Sequence, residues 1–255
     1  MKTIAVSNYK GGVAKTTTAV NVAYNMAEKG NRVLLVDADP QGNASYMIWK
    51  YSPSAKTLVD GIENGKFANV IVRRSRFKNL DIIPATAELE KLNKRDDYFM
   101  LRLFLGDVEN KYDYCIIDCQ PTMQYLTKSA LVAADLAVVP FKAEGYSING
   151  LELMSDFFTE INGYRQEIGQ KELDYRCLVT MFKQNRKNLD RVIGLIEKSE
   201  YPVFDTVISF SQACDSSVDA RKPLSMHRSK ASATEDYRKL SEDVLNVLEG
   251  GEYNA

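Results

Sequence analysis

The chain has 255 residues, 45% hydrophobic and 26% charged, with a formal net charge of −1. This is the make-up of a soluble globular protein with room for one large α/β domain or two small ones, and no stretch of about 18 apolar residues is present to form a transmembrane helix. A near-neutral chain has no bulk attraction for nucleic acid, so any such contact must come from a local basic patch.

The first expected element is a strand over Thr3–Ser7, so early that a signal peptide does not fit before it. Lys10-Gly11-Gly12-Val13-Ala14-Lys15-Thr16-Thr17-Thr18 follows, and a helix is expected over Lys15–Lys29. Strand, glycine loop and helix in that order form a cradle for a nucleoside triphosphate. Gly11 and Gly12 let the backbone approach phosphate oxygens closely. The first N–H groups of the helix are available to an anion. Lys15 is placed to neutralise the β- and γ-phosphates and the Thr16 hydroxyl to ligate Mg²⁺. The common pattern G-x-x-x-x-G-K-[ST] is not met, because Tyr9 and Ala14 stand at its two glycine positions; what the chain carries is K-G-G-x-x-K-[ST], with an extra lysine at Lys10. An alanine at position 14 implies a residue with no need of positive φ.

A strand over Arg32–Val36 leads into Asp37-Ala38-Asp39-Pro40-Gln41-Gly42-Asn43. The two carboxylates would share a face only if the strand continued, and Pro40 argues that it stops. A strand-end carboxylate beside a metal-bound phosphate can hold the metal's water or orient an attacking one. Further strands are expected over Leu80–Ile83, Tyr114–Asp118, Leu136–Phe141, Arg176–Met181 and Val203–Ile208. Helices are expected over Ala87–Lys94, Tyr98–Val108, Thr122–Ala133, Ser147–Ile161, Leu189–Lys198 and Ala233–Leu248. Several strands are unbroken Val/Ile/Leu runs, which signals cover on both faces. No repeat, linker or low-complexity tract divides the chain. The reading is therefore one domain over residues 1–255, an α/β fold with a doubly wound, mainly parallel sheet, helices on both faces and ligands at the C-terminal strand ends. In Tyr112–Pro121 an apolar strand ends in Asp118, placed to hold Mg²⁺ through water.

The K-G-G-x-x-K-[ST] loop resembles that of the deviant Walker A ATPases, the superfamily of ParA, MinD, the nitrogenase iron protein and the arsenical pump ATPase. Val36 to Asn43 resembles the ParA switch I motif V-D-x-D-P-Q-G-N, Tyr114–Asp118 the Walker B strand, and Val139 to Glu144 the V-P-x-x-x-E that follows. The likeness runs from the first strand to about Leu151 and is nearest to the short ParA/Soj type. Gln120 departs from D-x-P-P, and Ile208-Ser209-Phe210 stands where I-P-R is frequent, so adenine contacts do not carry over. The resemblance implies a P-loop ATPase using ATP and Mg²⁺, with Lys10, Gly11, Gly12, Val13, Ala14, Lys15, Thr16 and Thr17 binding nucleotide. It implies that Lys10 crosses to the nucleotide of a second copy in an ATP-bound homodimer. It makes Asp39 the residue that positions water, on the magnesium side with Thr16 and Asp118. Asp37 supports the magnesium and the switch, which Pro40, Gln41, Gly42 and Asn43 complete.

A ParA/Soj resemblance further implies partition of a plasmid, chromosome or mobile element, nonspecific DNA binding by the ATP dimer and a ParB-like centromere-binding partner. The implied location is cytoplasmic, on the nucleoid when ATP is bound. Candidate DNA-binding residues are Lys183, Arg186, Lys187 and Arg191, and Arg221, Lys222, Arg228 and Lys230; the plainer reading is solvated surface charge. The other functional reading is a MinD-like switched ATPase that positions a protein partner without DNA. The terminal helix argues against a membrane anchor: Tyr237, Leu240, Val244, Leu245 and Leu248 have core-facing spacing, and Glu235, Asp236, Glu242 and Asp243 would be repelled by an anionic bilayer. Asn93-Lys94-Arg95-Asp96 matches the guanine signature N-K-x-D, but it precedes the Walker B strand and reads as a solvated helix end. Cys115, Cys119, Cys177 and Cys214 read as reduced thiols, not metal ligands.

Overall fold

Seven strands form one sheet in the order β3-β4-β2-β5-β1-β6-β7 in the computed structural model of the protein. It describes residues 1–50, 52, 54–142, 148–183, 190, 194, 198 and 201–250, and their side chains except those of 148–152. The strands are β1 Lys2–Val6, β2 Val33–Ala38, β3 Arg73–Arg74, β4 Leu80–Ile83, β5 Tyr114–Cys119, β6 Leu136–Lys142 and β7 Asp174–Thr180. All pairings are parallel except that of β3 with β4. The helices are α1 Lys15–Glu28, α2 Asn43–Ile48, α3 Leu58–Asn64, α4 Ala68–Ile71, α5 Met100–Gly106, α6 Tyr125–Ala133, α7 Ile148–Glu167, α8 Gln212–Asp219, α9 Leu224–His227 and α10 Ser232–Leu248.

The unbroken apolar strands are explained by two cores, one on each face. Along β2, Leu34, Val36 and Ala38 enter the core under α3, α5, α6 and α7, while Val33 and Leu35 enter the core under α1, α2 and α10. Successive side chains of a strand point to opposite faces, so a strand covered twice needs apolar residues at every position. Winding reverses at β1, with β5, β2 and β4 on one side of it and β6 and β7 on the other. Such a reversal leaves a crevice at the C-terminal strand ends. Val6 and Asp37 are both level with Asp118, so the loops after β1, β2 and β5 emerge side by side there.

The terminal helix packs on the helix that starts at the glycine loop. Tyr237 and Thr18 share a hydroxyl hydrogen bond of 3.2 Å, and Asn25 donates to Ser241 Oγ at 3.2 Å. Tyr237, Leu240 and Val244 are buried, as their spacing implies. Asp243 is not on the polar face: it is buried and accepts from the Thr206 hydroxyl, while Asp236 accepts from the Ser209 N–H at 2.8 Å. The segment beside α10 has donors that need acceptors, and these two carboxylates supply them.

That segment is the expected strand Val203–Ile208, which makes only isolated bridges, Cys177↔Val203 and Phe182↔Ser209. Its backbone still bonds to β7 on either side of Thr206, through Phe204 N to Cys177 O and Ile208 N to Val179 O, each at 2.9 Å, without a continuous ladder between them. Ala87–Lys94 is a 3₁₀ helix; its buried Leu89 and Leu92 are three apart, which suits three residues per turn. α5 and α6 start later than expected, at Met100 and Tyr125, and α7 runs on to Glu167. Most of Leu189–Lys198 lies outside the described residues, as does Glu144. The short α2, α3, α4, α8 and α9 and strand β3 were not expected, because elements this brief show too little periodicity.

Candidate functional site

β1 ends at Val6, and its last N–H partner beyond the strand is Ser7 N to Val138 O at 3.0 Å. Asn8 then shapes the entry to the loop, donating to Pro140 O at 2.8 Å and accepting from Lys10 N at 2.9 Å. From β7, the Thr180 hydroxyl lies 3.2 Å from Val13 O and 3.0 Å from Phe141 O, tying the loop to two neighbouring strands. Gly11 and Gly12 are exposed, with Gly12 at φ 69°.

Ala14 corrects an expectation. Its φ is 68° and ψ 29°, a left-handed residue immediately before α1. The turn is required because Ala14 O must accept from Thr18 N, at 2.9 Å, to start the helix. A non-glycine residue there costs about 1–2 kcal/mol. Positive φ is thus needed at this position although glycine is absent.

Lys15 is buried and folds back over the loop, Nζ donating to Lys10 O at 3.0 Å. Burial lowers its pKa, and the nearby Asp118, Cys119 and Asp39 oppose that shift. Lys10 is exposed at the mouth of the loop.

Asp37 and Asp118 sit side by side on adjacent strands, both fully buried. Asp37 accepts from Ser45 N and Ser45 Oγ, each at 2.7 Å, and from Asp39 N at 3.2 Å. Burial raises its pKa to about 6 despite those bonds. It therefore anchors the loop after β2 to α2. Neither oxygen of Asp118 meets a donor in hydrogen-bonding geometry among the described residues. Burial, then the Asp37 charge, raise its pKa well above the ordinary carboxylate range, while the Thr16 hydroxyl and Lys15 pull the other way. Asp39 is buried at the loop and accepts from Gln41 N at 2.9 Å, and Gly42 turns the chain into α2 at φ 64°. Pro40 is buried, whereas Gln41 and Asn43 are exposed.

A buried carboxylate with bare oxygens beside a threonine hydroxyl is a set of hard oxygen donors, which fits Mg²⁺. Among the described residues no group of three or more His, Cys, Asp or Glu could hold a metal alone. The four cysteines are free, and burial raises the thiol pKa of each.

Gln120 is buried, and its Nε2 lies 3.4 Å from Asn93 Oδ1, so the first residue of the N-K-R-D stretch braces the loop after β5. Of the candidate basic residues, Arg186, Lys187 and Arg191 lie outside the described residues. Arg228 and Lys230 are exposed and line a cavity of about 690 Å³ with Gln212 and His227. Lys183 lies over the exposed Phe210 ring, 5.1 Å from its centroid, two residues before Gln212. Arg228 and Lys230 thus share one cavity wall, while Lys183 stacks on the segment that leads into α8. Arg221 stands apart from them: its guanidinium is engaged with α2. Asn8, Ser45 and Thr180 were not anticipated, since they act by hydrogen bonds between distant segments and carry no local motif.

Sheet order, glycine loop and strand-end carboxylates together define a P-loop nucleotide-binding fold. Residues 1–171 match the family described as AAA domain. The chain is 34% identical over 251 residues to sporulation initiation inhibitor protein Soj of Bacillus subtilis (strain 168), covering 95% of this chain and 98% of that one. It is 32% identical over 253 residues to chromosome partitioning protein ParA of Myxococcus xanthus (strain DK1622), covering 95% and 87%. Cobyrinic acid a,c-diamide synthase from Mycobacterium smegmatis, solved with ADP and magnesium, has a TM-score of 0.83 over 98% of this chain and 96% of that one, at 23% identity, a likeness of fold alone. The chain belongs to the ParA/Soj family of partitioning ATPases.

Proposed function

We propose that the chain is a single ATPase domain over residues 1–255 that binds ATP with Mg²⁺, hydrolyses it, and uses the cycle to partition DNA. The observation that carries this reading is the bare, buried Asp118 carboxylate beside Thr16 and Lys15. Burial keeps its charged form costly in the nucleotide-free protein although Thr16 and Lys15 offset part of that cost, and a hard cation beside it would relieve the rest. ATP and magnesium are also supported by the ADP and magnesium bound to the structural relative.

In this reading Lys15 exchanges Lys10 O for the β- and γ-phosphates, and the backbone of residues 11–17 supplies N–H donors around them. Thr16 and Asp118 hold Mg²⁺, which when bound neutralises developing charge on the phosphates. Asp39, in the loop whose base Asp37 anchors, orients the attacking water. Lys10, exposed and not needed in a cradle served by Lys15, reaches the nucleotide of a second copy. A homodimer then doubles the basic residues Lys183, Arg228 and Lys230. That lets a chain of net charge −1 bind DNA of any sequence only with ATP. A ParB-like partner resets the cycle, and the protein is cytoplasmic and nucleoid-bound when loaded.

The test is filter binding of the Asp39→Ala protein, with ATP and magnesium, to random duplex DNA at low salt. ATP-dependent retention that falls with salt at a log–log slope of roughly −0.9 per phosphate neutralised is expected. Absence of retention, with ATP turnover intact in the wild-type protein, would move the assignment to a MinD-like ATPase acting on a protein partner.

A further inference from the structure

α2 has six residues and is too short to persist without outside support. Its start is tied to the switch, because Ser45 donates twice to Asp37 at 2.7 Å. Its other end exposes carbonyls that have no partner within the helix. Two arginines from distant parts of the chain meet them. Arg221 Nε donates to Tyr46 O at 2.6 Å and its Nη2 to Trp49 O, and its guanidinium carbon lies 4.5 Å from the centroid of the Tyr46 ring. Arg76 donates to Met47 O at 2.8 Å and to the carbonyl of Arg221 itself. Positive charge at a helix C-terminus opposes the negative end of its dipole.

Arg221 is also one of four described non-glycine residues at positive φ, at 53°. It is the left-handed residue that closes α8, where Arg221 N donates to Val218 O at 2.9 Å and Lys222 N to Ser217 O at 3.0 Å; that turn aims its side chain at α2. The side chain faces the wall of a cavity of about 830 Å³ that Pro40, Gln41 and Gly42 of the switch also line. Trp49, the one tryptophan of the chain, lines the same cavity.

We propose that Arg221 is a positioning residue for hydrolysis: it clamps the C-terminal end of α2, and α2 in turn fixes the loop that carries Asp39. The proposal rests on the ATPase reading above for its kinetic arm only. Arg221 touches neither nucleotide nor water in it; it sets where the loop stands. A planar guanidinium bonds two carbonyls and stacks on a ring at once, which a lysine does not reproduce.

The experiment compares Arg221→Gly, Arg221→Ala and Arg221→Lys in the full chain. Glycine removes the clamp and the strained φ together, so the Arg221→Gly protein is expected to keep a urea midpoint at or above that of Arg221→Ala. Its kcat for ATP should fall about tenfold or more, since displacement by about 1 Å at a reacting centre can cost a hundredfold. Its KM for ATP should stay within about twofold, because the phosphate loop is untouched. Arg221→Lys, which keeps the charge, should lie between. Acrylamide quenching of Trp49 in the nucleotide-free protein should rise in the order wild type, Arg221→Lys, Arg221→Gly. Unchanged kcat in a folded Arg221→Gly protein, or a loss confined to KM, overturns the proposal. A wild-type protein without ATP turnover overturns the ATPase reading instead, and Trp49 quenching then decides the clamp alone: no increase on removing the guanidinium refutes it.

Discussion

Replacing Asp118 by asparagine should stabilise the nucleotide-free protein while removing its magnesium-dependent ATP binding. The magnitude follows from the neighbouring carboxylate. Asp37 is as deeply buried and accepts three hydrogen bonds, yet its pKa still rises to about 6. Against an ordinary value of 3.8, that is a penalty of ~3 kcal/mol on its ionised form. Asp118 has the same burial and the Asp37 charge beside it, and its pKa is raised well above the ordinary carboxylate range although the Thr16 hydroxyl and Lys15 oppose the shift, so its ionised form is penalised as well. Asparagine keeps the shape and removes the charge but leaves an amide short of partners, at a cost of about 1–3 kcal/mol. Taking the ~3 kcal/mol of Asp37 as the scale, the net gain at neutral pH is about 0–2 kcal/mol, or up to roughly 8 °C in Tm for a chain of this size. The pH dependence carries a sign. A carboxylate whose pKa is raised by folding binds its proton more tightly in the folded state, so its penalty is absent below the ordinary 3.8 and complete above the folded value. Stability of the wild-type protein without nucleotide should therefore rise as pH falls from neutrality through about 6 toward 4, from Asp37 and Asp118 together. In the Asp118→Asn protein that rise should shrink to the part owed to Asp37. Urea unfolding at several pH values between 4.5 and 7.5, without ATP, measures both effects. A variant less stable than wild type at neutral pH, with an undiminished pH dependence, would refute the reasoning that Asp118 is a buried charge awaiting a cation.

Lys15→Ala should abolish tight ATP binding and turnover, as measured by equilibrium binding of labelled ATP; undiminished turnover would sink the assignment of the loop. Lys10→Ala should fold and bind ATP but fail to dimerise, and light scattering that shows the same ATP-dependent dimer would reduce Lys10 to a local contact. Ala14→Gly should raise the unfolding free energy by ~0.5–1 kcal/mol, read as a higher urea midpoint at constant slope, because relief of a left-handed alanine exceeds the entropy cost of glycine; a lower midpoint would mean that φ near 68° is not strained. Reversing charge at Arg228 and Lys230 should weaken DNA binding equally for all sequences in gel-shift titrations, since phosphate contacts carry no sequence information, and a sequence-dependent loss would place these residues at base edges instead.

Much of this protein was legible along the chain because its signals are local. Lys10 to Thr18 lie in one contiguous loop between a strand and a helix, and Asp37, Asp39 and Asp118 stand at the ends of apolar strands whose doubled cover is written in their unbroken composition. The parallel sheet follows from strand–helix alternation, which is also a local pattern. Other features depend on residues far apart. Nothing near Ala14 announces that its backbone must turn left-handed; the geometry of joining β1 to α1 imposes it. Asp37 and Asp118 look alike in sequence, yet one is fully hydrogen-bonded and the other bare, because Ser45 reaches only the first. Val203–Ile208 has the composition of a strand and yet makes only isolated bridges. Arg221 reads as one more surface cation, and only folding brings it to α2, 175 residues away. A residue's conformational preferences and apolar spacing act on its immediate neighbours and so survive in the linear order. Which hydrogen-bond donors meet which acceptors is settled when the two cores close on the sheet, and that pairing determines which carboxylate is left without a backbone donor.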